Sequence, residues 1–142
     1  MPINENVKQE IQELLFNWLS WLHTRSFYGV ALPDNLMKNI KDNHLSTGQT
    51  PNARNDALCC AFNLIITDAL DNDHDNALCF LYTYLKNYRP EPIKCLAFRL
   101  GISSDTVYVK ADKAATKYYN KSLEWQRLNA MIQREVKGDI YD

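Results

Sequence analysis

Between Pro92 and Tyr119 the chain reads PIKCLAFRLGISSDTVYVKADKAATKYY, and its polar side chains suit contact with a nucleic-acid duplex. Lys94, Arg99, Lys110, Lys113 and Lys117 are cations that can reach phosphates. The ring of Tyr108 can stack, meet a thymine methyl, or hydrogen-bond a phosphate through its hydroxyl. Asp105 can accept from a cytosine amino group, although its place at a helix start suits capping equally well. Ser103, Ser104, Thr106, Val109 and Asp112 complete the set. Duplex DNA is read with this mixture of phosphate contacts for position and short polar or apolar contacts for base edges.

Two helices joined by a tight turn are needed to hold those residues on one face. Gly101 can take the positive φ that ends the first helix. Ala97, four residues earlier, supplies the small side chain that two closely crossing helices require. Leu96, Leu100, Ile102 and Val107 are the apolar pegs that set the crossing angle. Ser103 and Ser104 offer N-cap hydroxyls, and Asp105 sits favourably against the helix dipole. Helical spacing turns Val107, Ala111, Ala114 and Tyr118 inward, and Ser104, Asp105, Tyr108, Val109, Asp112 and Lys113 outward. The pattern is that of a helix-turn-helix presenting its second helix to DNA. A helical hairpin that uses the glycine purely for packing is the plainer alternative.

Other reactive residue types form no comparable constellation. Cys59, Cys60, Cys79 and Cys95 lack a CxxC pair, and each lies in an apolar run, so buried free thiols are expected rather than a disulfide or a zinc site. Asp71, Asp73, His74 and Asp75 crowd five positions, but without the glycine and terminal glutamate of a calcium loop. An inter-helix turn with a capping aspartate accounts for them. His23 and His44 have no partner spacing. The sequence contains no glycine-rich phosphate loop and no nucleophile elbow, so neither a cofactor nor an enzyme is expected. Trp18, Trp21, Phe27 and Tyr28 cluster near the end of the first helix. Trp18 fits the apolar stripe better than Trp21, which leaves Trp21 as a candidate for facing a partner.

At 142 residues, 46% apolar and with nine Gly and Pro together, the chain suits one domain with a real core. The net charge is −1, but it is unevenly spread. Residues 1–85 carry five Lys/Arg against ten Asp/Glu, whereas residues 86–121 carry eight against three. The positive segment contains the helix-turn-helix, and local charge governs phosphate attraction more than the total does. The longest nearly apolar run, 57–66, is about half a membrane span. Glu5, Glu10 and Glu13 break the order of a signal peptide. A cytoplasmic location, with no membrane contact, is the expectation.

Apolar periodicity predicts helices from Asn4 to about Arg25, a short turn of helix around Leu36–Ile40, and a long helix over Asp56–Leu70. That long helix is apolar on most faces, which is the signature of a central bundle helix. Another helix is expected over Asn76–Tyr88, with Pro92 opening the next. No Gly or Pro interrupts Ile102–Lys137, so the last helix can run through Trp125, Leu128 and Ile132. The expected fold is therefore all-α: a helical bundle with a C-terminal helix-turn-helix and a long last helix. It forms a single domain divided into 1–42, a loop at 43–55, 56–121, and an extension at 122–142.

The segment LGISSDTVYVKADKAATKYY resembles the C-terminal helix-turn-helix of sigma-factor region 4 and of LuxR-type regulators, which place an LGxS turn before a TVxxx helix. The order ahead of it is a tryptophan-rich helix (NWLSWLHTRSFYG), a loop, a cysteine-containing helix (ALCCAF) and a Tyr-rich helix (FLYTYLKNY). That order resembles the smaller class of phage antitermination Q proteins. The resemblance implies a late-gene regulator in a host cytoplasm. Such a protein binds double-stranded DNA near a promoter, engages RNA polymerase paused there with its sigma factor, and carries it through terminators. A simple repressor or activator and a small terminase subunit are the alternative classes.

Overall fold

The computed structural model describes residues 4–24, 32–43 and 53–141, with side chains described for 4–24, 32–42 and 56–132. The described residues form helices and no strand: α1 (Glu5–Thr24), α2 (Asp34–Asn43), α3 (Ala53–Asn72), α4 (His74–Tyr84), α5 (Ile93–Leu100) and α6 (Ser104–Tyr141). The fold is all-α, as the sequence predicts.

In α1, the three- and four-residue spacing of Ile11, Leu14, Leu15, Trp18, Leu19 and Leu22 buries one face. Trp18 lies edge-on to Phe62 with ring centroids 5.3 Å apart, and its indole N–H donates to Asn63 Oδ1 at 3.1 Å. Trp21 is buried too and donates to Asp56 Oδ1 at 2.7 Å. Both tryptophans therefore bind α1 to α3, and Trp21 is not left facing outward. The helix α2 is longer than a single turn. It buries Leu36 and Ile40, and Asn39 Nδ2 donates to the Tyr88 carbonyl at 3.0 Å. Most of the expected loop at 43–55 lies outside the described residues.

The helix at the centre is α4, not α3. Ala77 to Tyr82 are six consecutive buried residues, which is possible only for a helix covered on all sides. In α3, by contrast, Cys60, Leu64 and Asp68 are exposed. Its apolar residues do encircle it, but among the described residues no neighbour covers that side. The same geometry corrects the cysteine expectation: Cys59 and Cys79 are buried, whereas Cys60 and Cys95 are exposed free thiols.

Between α3 and α4 the chain breaks at one residue, Asp73 (φ −146°). Backbone bonds Asp73 N to Ala69 O (2.7 Å) and Ala77 N to Asp73 O (3.0 Å) bracket the break, and Asn76 Nδ2 donates to Asp73 Oδ1 at 2.8 Å. After α4, Pro92 (φ −60°) caps α5. There Arg99 pairs with Glu91, and its guanidinium donates to the Tyr82 hydroxyl at 3.1 Å. This trio fastens the connection to α4.

The last helix runs unbroken through 38 residues, about 57 Å at 1.5 Å per residue. Its first half packs along α4, α3 and α5, and α1 reaches it through a Tyr119–Glu10 hydrogen bond. The second half leaves the bundle.

Candidate nucleic-acid interface

The turn between α5 and α6 has the left-handed glycine, the buried small residue and one of the two serine caps that the sequence suggests. Gly101 stands at φ 71° and ψ 30°. The Ile102 N–H donates to Ala97 O at 3.0 Å and the Gly101 N–H to Phe98 O at 3.2 Å. These are the paired bonds of a Schellman motif, which satisfy carbonyls that the end of α5 leaves free. Ala97 and Leu96 are buried beneath the turn, and Ile102 packs on the core.

Of the two serines, Ser103 is the cap. Its hydroxyl accepts from the Thr106 N–H at 3.1 Å and lies 2.8 Å from Thr106 Oγ1. Ser104 falls in the first turn of α6, and exposed Asp105 follows it at the positive end of the helix dipole. Val107, Ala111, Ala114 and Tyr118 all point inward, each 5% exposed or less. Tyr118 meets Phe80 edge-on at 5.0 Å between ring centroids. Burial is the first cause raising its phenol to about 12, with Asp73 and Cys79 adding to it.

The opposite face of α6 presents Asp105, Tyr108 (44% exposed), Val109 (52%) and Lys113. Lys94 is exposed on α5. Three further candidates point elsewhere. Asp112 accepts from the Tyr84 hydroxyl at 2.9 Å, and burial followed by that bond pushes the Tyr84 phenol well above its usual range. Lys110 Nζ donates to Asn76 Oδ1 at 3.4 Å, and Lys117 Nζ lies 3.9 Å from Asp73 Oδ2. Those two lysines lean towards the α3–α4 junction, one side away from Tyr108. Arg99 keeps half its side chain exposed but is held by Glu91 and Tyr82.

One exposed residue of this region was missed in the sequence. Phe98, on the outer side of α5, is 87% exposed. Its signal was legible, because buried Ile93, Leu96 and Ala97 fix the inner face of α5 and leave 94, 95 and 98 outside. Among the described residues no cluster of His, Cys, Asp or Glu is arranged to hold a metal ion. No helix among them is long and apolar enough to cross a membrane. No protein-family model, curated protein or solved structure matches this chain.

Proposed function

We propose that this chain is a sequence-specific DNA-binding transcription regulator that docks α6 in the major groove. The observation that carries the reading is the left-handed Gly101 turn with its Schellman bonds and the Ser103 cap. Together they hold Tyr108, Val109 and Lys113 exposed within three turns of the helix start. The N-terminal residues of a recognition helix are the ones that reach base edges. In this arrangement Lys113 and Lys94 contact phosphates, Tyr108 and Val109 meet bases, and Ser103 with Thr106 orients the helix end. Arg99, Lys110, Asp112 and Lys117 act first as fold contacts.

Within that class, the order of helices fits a phage antiterminator that engages RNA polymerase, leaving the acidic N-terminal half available to the enzyme. DNA binding is tested by selecting sites from a random duplex library and measuring affinity against salt. Lys113→Ala should weaken binding across sequences and reduce the magnitude of the salt slope by about one unit. Tyr108→Ala should change which sequence is preferred. Unaltered affinity, salt slope and preference in both variants would remove α6 as the recognition helix. Antitermination has its own test, terminator readthrough with purified polymerase on a template carrying the selected site. Unchanged termination there would leave a simple repressor or activator.

A further inference from the structure

Beyond Ser122, α6 continues out of the bundle with an apolar stripe on it. Leu128 is 51% exposed, Met131 50% and Ile132 58%, with half-buried Trp125 at the edge of the same face. At about 100° per residue these four share one side of the helix. Polar residues would cost nothing here in folding, so the apolar choice calls for a covering surface.

The spacing along this stripe identifies the cover. Lys121 lies seven residues before Leu128, and the sequence places Glu135 seven residues after it. Trp125 and Met131 lie three residues before and three after. The series Lys121, Trp125, Leu128, Met131, Glu135 is thus symmetric in position about Leu128 and opposite in charge at its ends. An antiparallel copy crossing at Leu128 sets Leu128 on Leu128, Trp125 on Met131, each Ile132 level with a Glu124, and each Lys121 level with a Glu135. A parallel copy would set lysine on lysine and glutamate on glutamate. Self-complementarity about a two-fold axis is what an isologous interface requires.

We propose that this chain forms an antiparallel homodimer through the 121–135 stretch of α6, with Leu128 on the two-fold axis. Counting about 100° per residue, Leu128 lies roughly 160° around α6 from Tyr108, roughly 100° from Val109 and roughly 60° from Lys113, and the stripe begins more than two turns beyond Lys113 along the helix axis. Pairing leaves Tyr108 and Val109 uncovered, and the proposal does not rest on DNA binding.

The test uses the full chain without DNA, by sedimentation equilibrium over about 1 to 200 μM. One helix pair is a small interface by the standards of stable complexes, so a dissociation constant in the range of about 1–50 μM is expected. Leu128→Glu puts two carboxylates on the axis and should leave only monomer. The residue is exposed, so circular dichroism of that variant should match the parent. Lys121→Glu turns two attractive pairs into repulsive ones and should weaken association about tenfold. Lys121→Glu combined with Glu135→Lys should restore it. A parent that stays monomeric at 200 μM, or forms a larger ring, overturns the proposal. So does dimerisation unaffected by Leu128→Glu, and a charge swap with neither loss nor rescue overturns the antiparallel register.

Discussion

Substitution of Gly101 tests the turn that the functional reading depends on, and its cost can be worked out from the structure. A β-carbon placed on Gly101 meets no atom within 4 Å, so no neighbour has to move. The whole penalty is then the residue's own backbone at φ 71°. An L-residue held in the left-handed region costs about 1–2 kcal/mol. Losing glycine's freedom in the unfolded chain returns about 0.4–1 kcal/mol. Gly101→Ala should therefore destabilise by about 1 kcal/mol. Gly101→Asn should cost less, because asparagine tolerates this conformation. Gly101→Val should cost about 2 kcal/mol or more, since its branched β-carbon fits the region worst. For a chain of this size each kcal/mol lowers the melting temperature by about 3 °C. Urea unfolding followed by circular dichroism should show the midpoint falling in the order Asn, Ala, Val at a constant m-value. Alanine as stable as glycine would mean that the residue does not hold a positive φ. A loss above about 3 kcal/mol for alanine would mean a steric collision, and either result breaks the derivation.

Two further changes probe the core. Asn63→Ala should cost about 1–3 kcal/mol by leaving the Trp18 indole N–H buried without its acceptor, and a blue shift or quenching change in tryptophan fluorescence should accompany it; a neutral effect would mean that water replaces the amide. Alkaline pH should destabilise the fold through Tyr118, whose phenol sits at about 12 against an ordinary value of 10.0. The folded state holds the proton more tightly, so its contribution is intact below about pH 10 and is lost as pH rises towards 12. The slope for that group is about 1.4 kcal/mol per pH unit. Denaturant melts from pH 9 to 11.5 measure it, and Tyr118→Phe should flatten the slope, whereas an unchanged slope would place the titration elsewhere.

Most of the helices and the turn at Gly101 were legible in the sequence, for a physical reason. Helix position follows from apolar period and from Gly or Pro stops, all of which are local. The inner residues Val107, Ala111, Ala114 and Tyr118 follow from the same period and are buried as read. Non-local choices were not legible. α3 and α4 are both strongly apolar, and only packing decides that α4 is surrounded while Leu64 stays exposed. Asp112 looks outward on its own helix, and only the approach of Tyr84 from α4 takes it into a hydrogen bond. Arg99 looks like a phosphate ligand until the α4–α5 connection brings Glu91 to it.

Those non-local contacts also bear on how strongly the proposed face can bind. With Arg99 held by Glu91, Lys110 by Asn76, and Lys117 near Asp73, exposed Lys94 and Lys113 are the proposed cations left for phosphates. Each phosphate contact contributes about 0.9 to the salt slope, so one copy engaging two phosphates has a shallow slope and a weak sequence-independent grip. Exposed Asp105 at the helix start lowers it further. Selectivity then has to come from Tyr108 and Val109, and residence on DNA from a second attachment. A tether at effective concentrations of about a millimolar raises avidity 10²–10⁴-fold without any new DNA contact. The proposed pairing of α6 supplies such a tether between two copies, and a polymerase held by the acidic half would supply one between protein and template. The two are separable: Leu128→Glu removes the first and leaves the second, so a variant that still acts on polymerase while losing affinity for isolated DNA would assign each attachment its share.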